Sequence, residues 1–345
     1  MRLAIVGAGA VGSLVGVGLA RAGHDVVLVD GWPDHVEAIR ANGLTLIDAG
    51  ETDMARPTAL HVGEAQSLCA APLDLVFLCV KLYDTDWATT LIAPYLAPGA
   101  PVITLQNALI EERVAAIVGW GRTIGCIGSG LHVGLREPGT VVRHRPSRTS
   151  NRAVFHVGEV HGRATERARM VASLLGAVDV ADVTTNLWGE RWAKLTANAM
   201  TSGVAALSGL GHRALFEDAR ARRVMTRIAA EAVAVGQALG YAIEPVFGLA
   251  AARWAAASGS DAAIGATFDT QARAVGPDSR SGAAQDLAKG RRTEVAFFNG
   301  LIAARAGEAG LVAPVNAVVA ELIATSERGA PIPGPAVLPR LLDTA

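Results

Sequence analysis

Cysteine is scarce. Cys69, Cys79 and Cys126 are the whole complement of a 345-residue chain. None forms a C-x-x-C pair and all three sit in apolar surroundings, which offers no disulfide framework or thiolate metal centre and implies buried, reduced thiols. Charge of one sign is missing as well. The 31 Lys and Arg face 32 Asp and Glu, a net charge of −1, so no basic face invites nucleic acid and no acidic tail is present. No charge-free apolar run reaches the roughly 18 residues that a membrane span needs. The amino terminus has neither the basic n-region nor the cleavage-type site of a secretory signal. His24 and His35 read as loop residues, and His144 and His156 as strand residues. They form no ligand-spaced cluster, so no metal site is expected. Aromatics make up only 5% of the residues, and the abundance of Ala and Gly reads as helix-rich. The expectation is a cytoplasmic protein with small-molecule partners and no nucleic acid or membrane. Long apolar helices at 224–239 and 297–309 make it a candidate homodimer.

Against that background the opening of the chain stands out. An apolar run at 3–6 enters Gly7-Ala8-Gly9-Ala10-Val11-Gly12. A helix-like stretch follows over 13–23, and a second apolar run at 26–29 ends in Asp30. Strand, glycine hexad, helix, strand and acid form the order of a dinucleotide-binding crossover. Gly7 permits the tight turn, Gly9 lets the backbone approach a pyrophosphate, and Gly12 allows close packing of helix on strand. The amides that open the helix then face the phosphate charge. Asp30 lies 18 positions after Gly12, near the spacing of the acid that accepts bonds from the adenosine ribose and repels a 2′-phosphate. The pattern points to NAD, with NADP possible if Arg40 or Lys81 compensates. Asp30 as a simple cap on the turn Gly31-Trp32-Pro33 is the other reading.

Beyond Asp30, apolar runs at 71–80 and 101–105 alternate with helical stretches at 82–96 and 111–118. This is the rhythm of a parallel sheet with helices on both faces. Residues 140–144 and 153–158 read as antiparallel strands that complete the domain. A helix at 165–175 and a strand near 178 lead to a boundary at 182–186. The remainder reads as helical, with Trp188, Trp192 and Leu195 on one stripe, further helices at 224–239 and 293–309, and an extended Pro-rich tail. The expected fold class is α/β: an N-terminal doubly wound, Rossmann-type dinucleotide domain over 1–184, an all-helical substrate and dimerisation domain over 185–328, and the tail over 329–345.

Polar residues in apolar company are the candidates for chemistry. Lys194 and Asn198 are spaced i,i+4 and project from one face of the tryptophan-bearing helix. A lysine partly desolvated by that stripe serves as a proton donor near neutral pH, and a solvated helix lysine has the same spacing. Glu294 opens an apolar segment at 295–298. It reads either as a buried acid partnered by a lysine such as Lys194 or as a first-turn acid with Thr293 in its cap. Lys81 and the pair Gln106-Asn107 directly follow two strands, the end at which open parallel sheets bind ligands.

Six motifs now stand in order: Gly7 to Gly12; Val80-Lys81-Leu82-Tyr83-Asp84-Thr85; Gln106-Asn107; Arg136-Glu137-Pro138-Gly139-Thr140-Val141; Trp192-Ala193-Lys194-Leu195-Thr196-Ala197-Asn198; and Arg292-Thr293-Glu294 running on to Gly300. Together they resemble the ketopantoate reductase family, from Met1 to about residue 327. The resemblance implies nicotinamide-dependent reduction of a 2-oxo acid to a 2-hydroxy acid. Lys194 would match the catalytic lysine that hydrogen-bonds the keto oxygen and supplies its proton, its charge favouring the transition state over the ground state. Glu294 would match the acid that contacts substrate or cofactor and orients the lysine. Asn198 would bind substrate, Lys81 and Asn107 the cofactor, with Asn107 between nicotinamide and substrate.

The departures concern substrate recognition. Ser202 stands where the family places a second Asn, and Ser281 is followed by Gly282 where the family often has a serine pair. His212 aligns with a later Asn, and Ala108 ends what is usually Gln-Asn-Gly. Ser202, His212, Ser281 and Gly282 would therefore line an altered pocket. Loss of a hydrogen-bond partner in a polar pocket changes selectivity by orders of magnitude, so a substrate other than ketopantoate is expected. Plain ketopantoate reduction is the alternative within the family. A non-catalytic NAD-binding sensor or scaffold is the alternative outside it, and Lys194 and Glu294 argue against that one, since a sensor needs no acid donor.

Overall fold

The computed structural model describes residues 1–144, 147–148, 152–257 and 261–344, so that Ala345, the last residue of the expected tail, lies outside it. The chain divides into two compact units, Met1–Leu187 and Trp188–Ala345.

The first unit opens with the crossover: β1 (Arg2–Val6), α1 (Ala10–Arg21) and β2 (Asp25–Asp30). Next come α2 (Pro33–Asn42), β3 (Leu44–Asp48), β4 (Glu51–Ala55) and β5 (Thr58–His61). The strand–helix rhythm resumes with β6 (Leu75–Leu78), α3 (Thr85–Ile92), β7 (Val102–Thr104), α4 (Glu111–Val118) and β8 (Thr123–Gly128). β9 (Val133–Glu137), β10 (Thr140–Arg143), β11 (Phe155–Glu159), α5 (Glu166–Leu175) and β12 (Ala181–Thr184) complete the unit. The main sheet runs β12-β11-β8-β7-β6-β1-β2-β5. β1 pairs in parallel with both β2 and β6, so the winding reverses at β1. That reversal leaves a crevice at the carboxyl ends of β1 and β6. β6 is buried along its whole length, which is why its sequence is a continuous apolar run rather than an alternating one.

Two strand expectations are corrected. The strand expected near 178 begins only at Ala181. Thr140–Arg143 does not join the main sheet. It lies in a separate sheet ordered β4-β3-β10-β9, parallel to β3 and antiparallel to β9. Only β11 is the expected antiparallel addition to the main sheet, against β8. The second sheet covers the outer side of α1, which packs against β2 on one side and against β3, β4, β9 and β10 on the other. Leu14, Val15, Val17 and Leu19 are all buried, as in any helix enclosed from both sides. An ion pair between Arg143 of β10 and Asp179, 1% and 2% exposed, fastens this sheet to the segment after α5. A third correction concerns the thiols: Cys126 is buried and Cys79 half-buried, but Cys69 is exposed. Burial pushes the Cys79 thiol up from its ordinary value.

The second unit is helical: α6 (Leu187–Ser208), α7 (His212–Glu217), α8 (Ala219–Ala238), α9 (Ala251–Ala255), α10 (Ala262–Ala274), α11 (Gly282–Ala288), α12 (Asn299–Glu308), α13 (Pro314–Glu327) and α14 (Val337–Leu342). Trp192 is fully buried, and its indole N–H donates to the Ala232 carbonyl of α8 at 2.8 Å. The helix expected from 293 starts only at Asn299, because a short 3-10 turn (Val295–Phe297) precedes it. The tail is not extended. α14 buries Val337, Leu338 and Leu341 against α8, and Arg227 donates to the carbonyls of Leu341 and Leu342. Among the described residues, no helix is long and apolar enough to cross a membrane.

Candidate active site

In the first unit the glycine loop sits at the reversal point of the sheet. Gly7 has φ +94°, and a Cβ there would lie 2.6 Å from the Val80 nitrogen at the end of β6. Only glycine satisfies both conditions. Gly9 is the reverse case: no atom comes within 4 Å of where its Cβ would be. It is the N-cap of α1, whose first turn has no side-chain cap and no acid. Open space before uncapped helix amides fits a pyrophosphate. Gly12 lets α1 pack closely on β1 and its turn: a Cβ there would lie 2.0 Å from the Gly7 carbonyl oxygen and 3.1 Å from Ile5 Cγ2.

Asp30 is held at both carboxylate oxygens. Ala8 N–H donates to Oδ2 at 2.6 Å and Trp32 N–H to Oδ1 at 2.8 Å. The acid thus caps the following turn and fixes the glycine loop in the same act. Arg40 is committed elsewhere. Its guanidinium donates to Glu37 at 2.7 Å, to the Ala59 carbonyl at 2.9 Å and to Glu64. His35, expected in a loop, is a fully buried residue of α2. Gly139 N–H donates to its Nδ1 at 2.9 Å, and its Nε2 lies 3.3 Å from Ser13 Oγ, which itself donates to the Ala8 carbonyl at 2.7 Å. Burial pushes the imidazole pKa below its ordinary value, against an upward pull from the Asp30 carboxylate.

Lys81 and Asn107 follow the adjacent strands β6 and β7, both half-buried. Gln106 stitches these two strand ends together, donating from Nε2 to the Val80 carbonyl and to Thr85 Oγ1, each at 2.9 Å. Ala108 takes φ +59°, a left-handed conformation that an L residue adopts at a cost of about 1 kcal/mol.

In the second unit Lys194, Asn198 and Ser202 follow one another at one-turn intervals along α6, each half-buried. Asn198 Nδ2 is buried and makes no hydrogen bond. A buried amide donor left unmade costs about 1–3 kcal/mol, so this nitrogen is placed for an acceptor the polypeptide does not supply. Glu294 comes to the same helix through its neighbours. Asn299 Nδ2 donates to the Ala199 carbonyl of α6 and to Asn316 Oδ1, both at 3.0 Å. Val295 Cγ1 stands 3.6 Å from the Cβ position of Gly203, also on α6. On the other flank, the backbone N–H and hydroxyl of Thr293 donate to Glu327, each at 2.7 Å, and its Oγ1 accepts from Val295 N–H at 3.2 Å. Thr293 therefore anchors the segment to α13 rather than capping a long helix.

His212 and Ser281 form a second group. His212 Nδ1 lies 2.9 Å from Ser279 Oγ, two residues before Ser281, whose own hydroxyl is the N-cap of α11 and accepts from Ala284 N–H at 3.1 Å. Gly282 has open space where a side chain would be.

The family model for ketopantoate reductase PanE/ApbA matches residues 3–153, and the model for the C-terminal part of that family matches residues 186–327. The 2-dehydropantoate 2-reductase of Halobacterium salinarum is 30% identical over 332 residues, 95% of this chain and 99% of that one.

The chain belongs to the ketopantoate reductase family.

It is accordingly an oxidoreductase acting on CH–OH groups, from a family that uses a nicotinamide cofactor. The 2-dehydropantoate 2-reductase of Archaeoglobus fulgidus is 27% identical over 337 residues, 95% of this chain and 98% of that one. A ketopantoate reductase of this family from Ralstonia eutropha JMP134 superposes with a TM-score of 0.79 at 28% identity, covering 95% of this chain and 99% of its own. A D-mandelate dehydrogenase solved with NADH and anilino(oxo)acetate shares the fold, with a TM-score of 0.78 at 21% identity and coverage of 95% and 99%. Sequence reasoning gave no site role to His35, Ser13 or Asn299, three buried polar residues, of which His35 and Asn299 find partners about a hundred residues away. Ser13 directly follows Gly12, and Asn299 lies within the last motif, just before Gly300.

Proposed function

We propose that this chain is an NAD-preferring member of the family that interconverts a 2-oxo acid, or a related carbonyl compound, and the corresponding alcohol, with a substrate other than ketopantoate. The observation that carries the reading is the buried Asn198 amide nitrogen, without an acceptor, one helical turn from Lys194. Such a donor suits a substrate oxygen. Lys194 donates the proton that the carbonyl oxygen takes up in reduction and receives it back in oxidation, and its positive charge lowers the barrier as that oxygen becomes anionic. Glu294, on the segment pinned against α6, orients the lysine. Gly7 to Gly12 would hold the pyrophosphate of a nicotinamide cofactor, with Lys81 and Asn107 at the neighbouring strand ends, and that cofactor would supply or accept the hydride.

The preference for NAD rests on Asp30 and Arg40. The Asp30 carboxylate is fixed beside the loop by two backbone donors, where a 2′-phosphate would meet like charge. Arg40, the nearby cation that could offset it, is bound to Glu37 and Glu64. The substrate reading rests on Ser202, His212, Ser281 and Gly282. A serine reaches less far than the family's asparagine, and Gly282 offers no side chain, so the pocket is wider and less polar there. The test is a screen of 2-oxo and 2-hydroxy acids followed by absorbance of the reduced nicotinamide, with NAD(H) and NADP(H) side by side. Mandelate and anilino(oxo)acetate belong in it because the mandelate dehydrogenase has this fold. Turnover of another compound well above that of ketopantoate supports the reading. Ketopantoate reduction at a kcat/KM of roughly 10⁴ M⁻¹s⁻¹ or more, or a strong NADPH preference, overturns the corresponding half.

A further inference from the structure

Five residues of the first unit close a ring of contacts. Ala8 N–H donates to Asp30 Oδ2, and Asp30 Oδ1 accepts from Trp32 N–H. The Trp32 ring stacks on the His35 ring, with centroids 5.6 Å apart and planes 13° from parallel. His35 Nε2 lies 3.3 Å from Ser13 Oγ, and Ser13 Oγ donates back to the Ala8 carbonyl. The direction of each bond is determined. Gly139 N–H can only donate, so His35 Nδ1 is the acceptor and, in the neutral ring, the proton sits on Nε2. Nε2–H then donates to Ser13, whose own proton goes to Ala8. Reversal at any one bond would leave a buried donor without an acceptor.

The ring also gives a role to the motif Arg136 to Val141, which the reaction itself leaves unused. Its Gly139 forms the turn between β9 and β10, and the Gly139 carbonyl accepts from Thr45 N–H of β3 at 2.9 Å while its N–H reaches His35 at 2.9 Å. The second sheet is thereby joined to the rear of the glycine loop through one imidazole.

We propose that His35 is a positioning residue for the adenosine half of the cofactor: by holding Ser13, and through it Ala8, in register with Asp30, it sets the loop amides and the ribose acid at a fixed separation and so determines the discrimination between NAD and NADP. The proposal rests on the reading of the glycine loop as the dinucleotide site. Its mechanical logic is that Ala8 carries both halves of the device. One peptide unit away from the open space at Gly9, Ala8 is tethered at its N–H by Asp30 and at its carbonyl by Ser13. Cutting the ring at Ser13 or His35 frees Ala8 on one side and lets the Asp30 carboxylate turn away with it.

The experiment is a titration of NADH and NADPH fluorescence with the full chain, which needs no substrate. Ser13→Ala removes the link to Ala8. His35→Asn keeps an acceptor at the Nδ1 position for Gly139 but cannot reach Ser13, whereas His35→Gln places a donor at the Nε2 position and keeps the Ser13 bond. Ser13→Ala and His35→Asn are expected to weaken NADH binding about tenfold, the scale of one or two lost hydrogen bonds. They should bring the NADPH-to-NADH ratio of dissociation constants toward one. His35→Gln should stay within about threefold of the unmodified protein in both. The double variant Ser13→Ala with His35→Asn should be no worse than either single one, since both cut the same ring. Unchanged affinities and ratio in folded Ser13→Ala, or losses that add in the double variant, overturn the proposal alone. Failure of the unmodified protein to bind either nucleotide overturns the cofactor reading and this inference with it.

Discussion

The two units build their candidate sites from different materials. In the first, the candidate cofactor site is built of backbone: the turn at Gly7, the open space at Gly9, the uncapped amides of α1, and an acid fixed by two main-chain N–H groups. In the second it is built of side chains set one turn apart on α6, with Glu294 brought to that helix by the Asn299 bonds. The backbone site fails on addition at Gly7, because an extra methyl group has nowhere to go there. A side-chain site fails on subtraction, because each group acts at one atom. The lesson is that the same size of change in the two units should produce opposite kinds of damage, in binding and folding on one side and in turnover on the other.

The largest expected effect tests subtraction in the helical unit. Lys194→Ala is expected to lose about 10²–10⁴-fold in kcat, the range of general acid catalysis, while NADH binding by fluorescence titration stays nearly unchanged. Wild-type turnover in that variant would remove Lys194 from the mechanism. Next comes addition in the sheet unit. Gly7→Ala puts a methyl group 2.6 Å from the Val80 nitrogen at φ +94°, and it should destabilise the unit by about 3 kcal/mol, read by denaturant unfolding, with NADH affinity falling too. A neutral result would mean that the loop relaxes and that its geometry is not what binds the cofactor.

The comparison sharpens where the helical unit offers a short side chain at Ser202 and none at Gly282. Restoring Ser202→Asn and Gly282→Ser together should raise kcat/KM for ketopantoate about tenfold. The second change has room, as no atom lies within 4 Å of the Gly282 Cβ position. No gain would mean that these positions do not line the substrate pocket. The smallest effect concerns the acid that holds the backbone site. Asp30→Ala should narrow the gap in KM between NAD and NADP by about fivefold, through lost repulsion and a loosened Ala8. A ratio that does not move would assign Asp30 to the turn alone.

The legibility of the fold in the sequence follows the range of the interactions involved. Continuous apolar runs such as Leu75–Leu78 announce strands buried on both faces. β4 could not be read that way: it is largely exposed in Glu51–Ala55 and has no buried face to impose alternation. β10 was legible as a strand but not its sheet, because the pairing with β3 spans about a hundred residues of intervening chain. The Pro-rich tail reads as extended from composition, yet α14 forms there because α8 offers an apolar surface that no local propensity reveals. His35 looked like a loop residue because it follows Pro33 and Asp34. Its buried ring accepts from Gly139 N–H, far along the chain.

By itself the sequence determined the family and the α/β class, and it singled out the glycine loop, Asp30 and the row of Lys194 and Asn198. Each of these depends on residues within a few turns of one another, where a fixed helical or strand period sets direction. Only the tertiary structure decided which polar groups have partners: that Asp30 is held at both oxygens, that Arg40 is occupied, that the Asn198 nitrogen is buried without an acceptor, and that His35 joins two sheets through Ser13. A hydrogen bond needs two atoms about 3 Å apart. For groups separated by tens of residues in sequence, that distance exists only once the chain has folded.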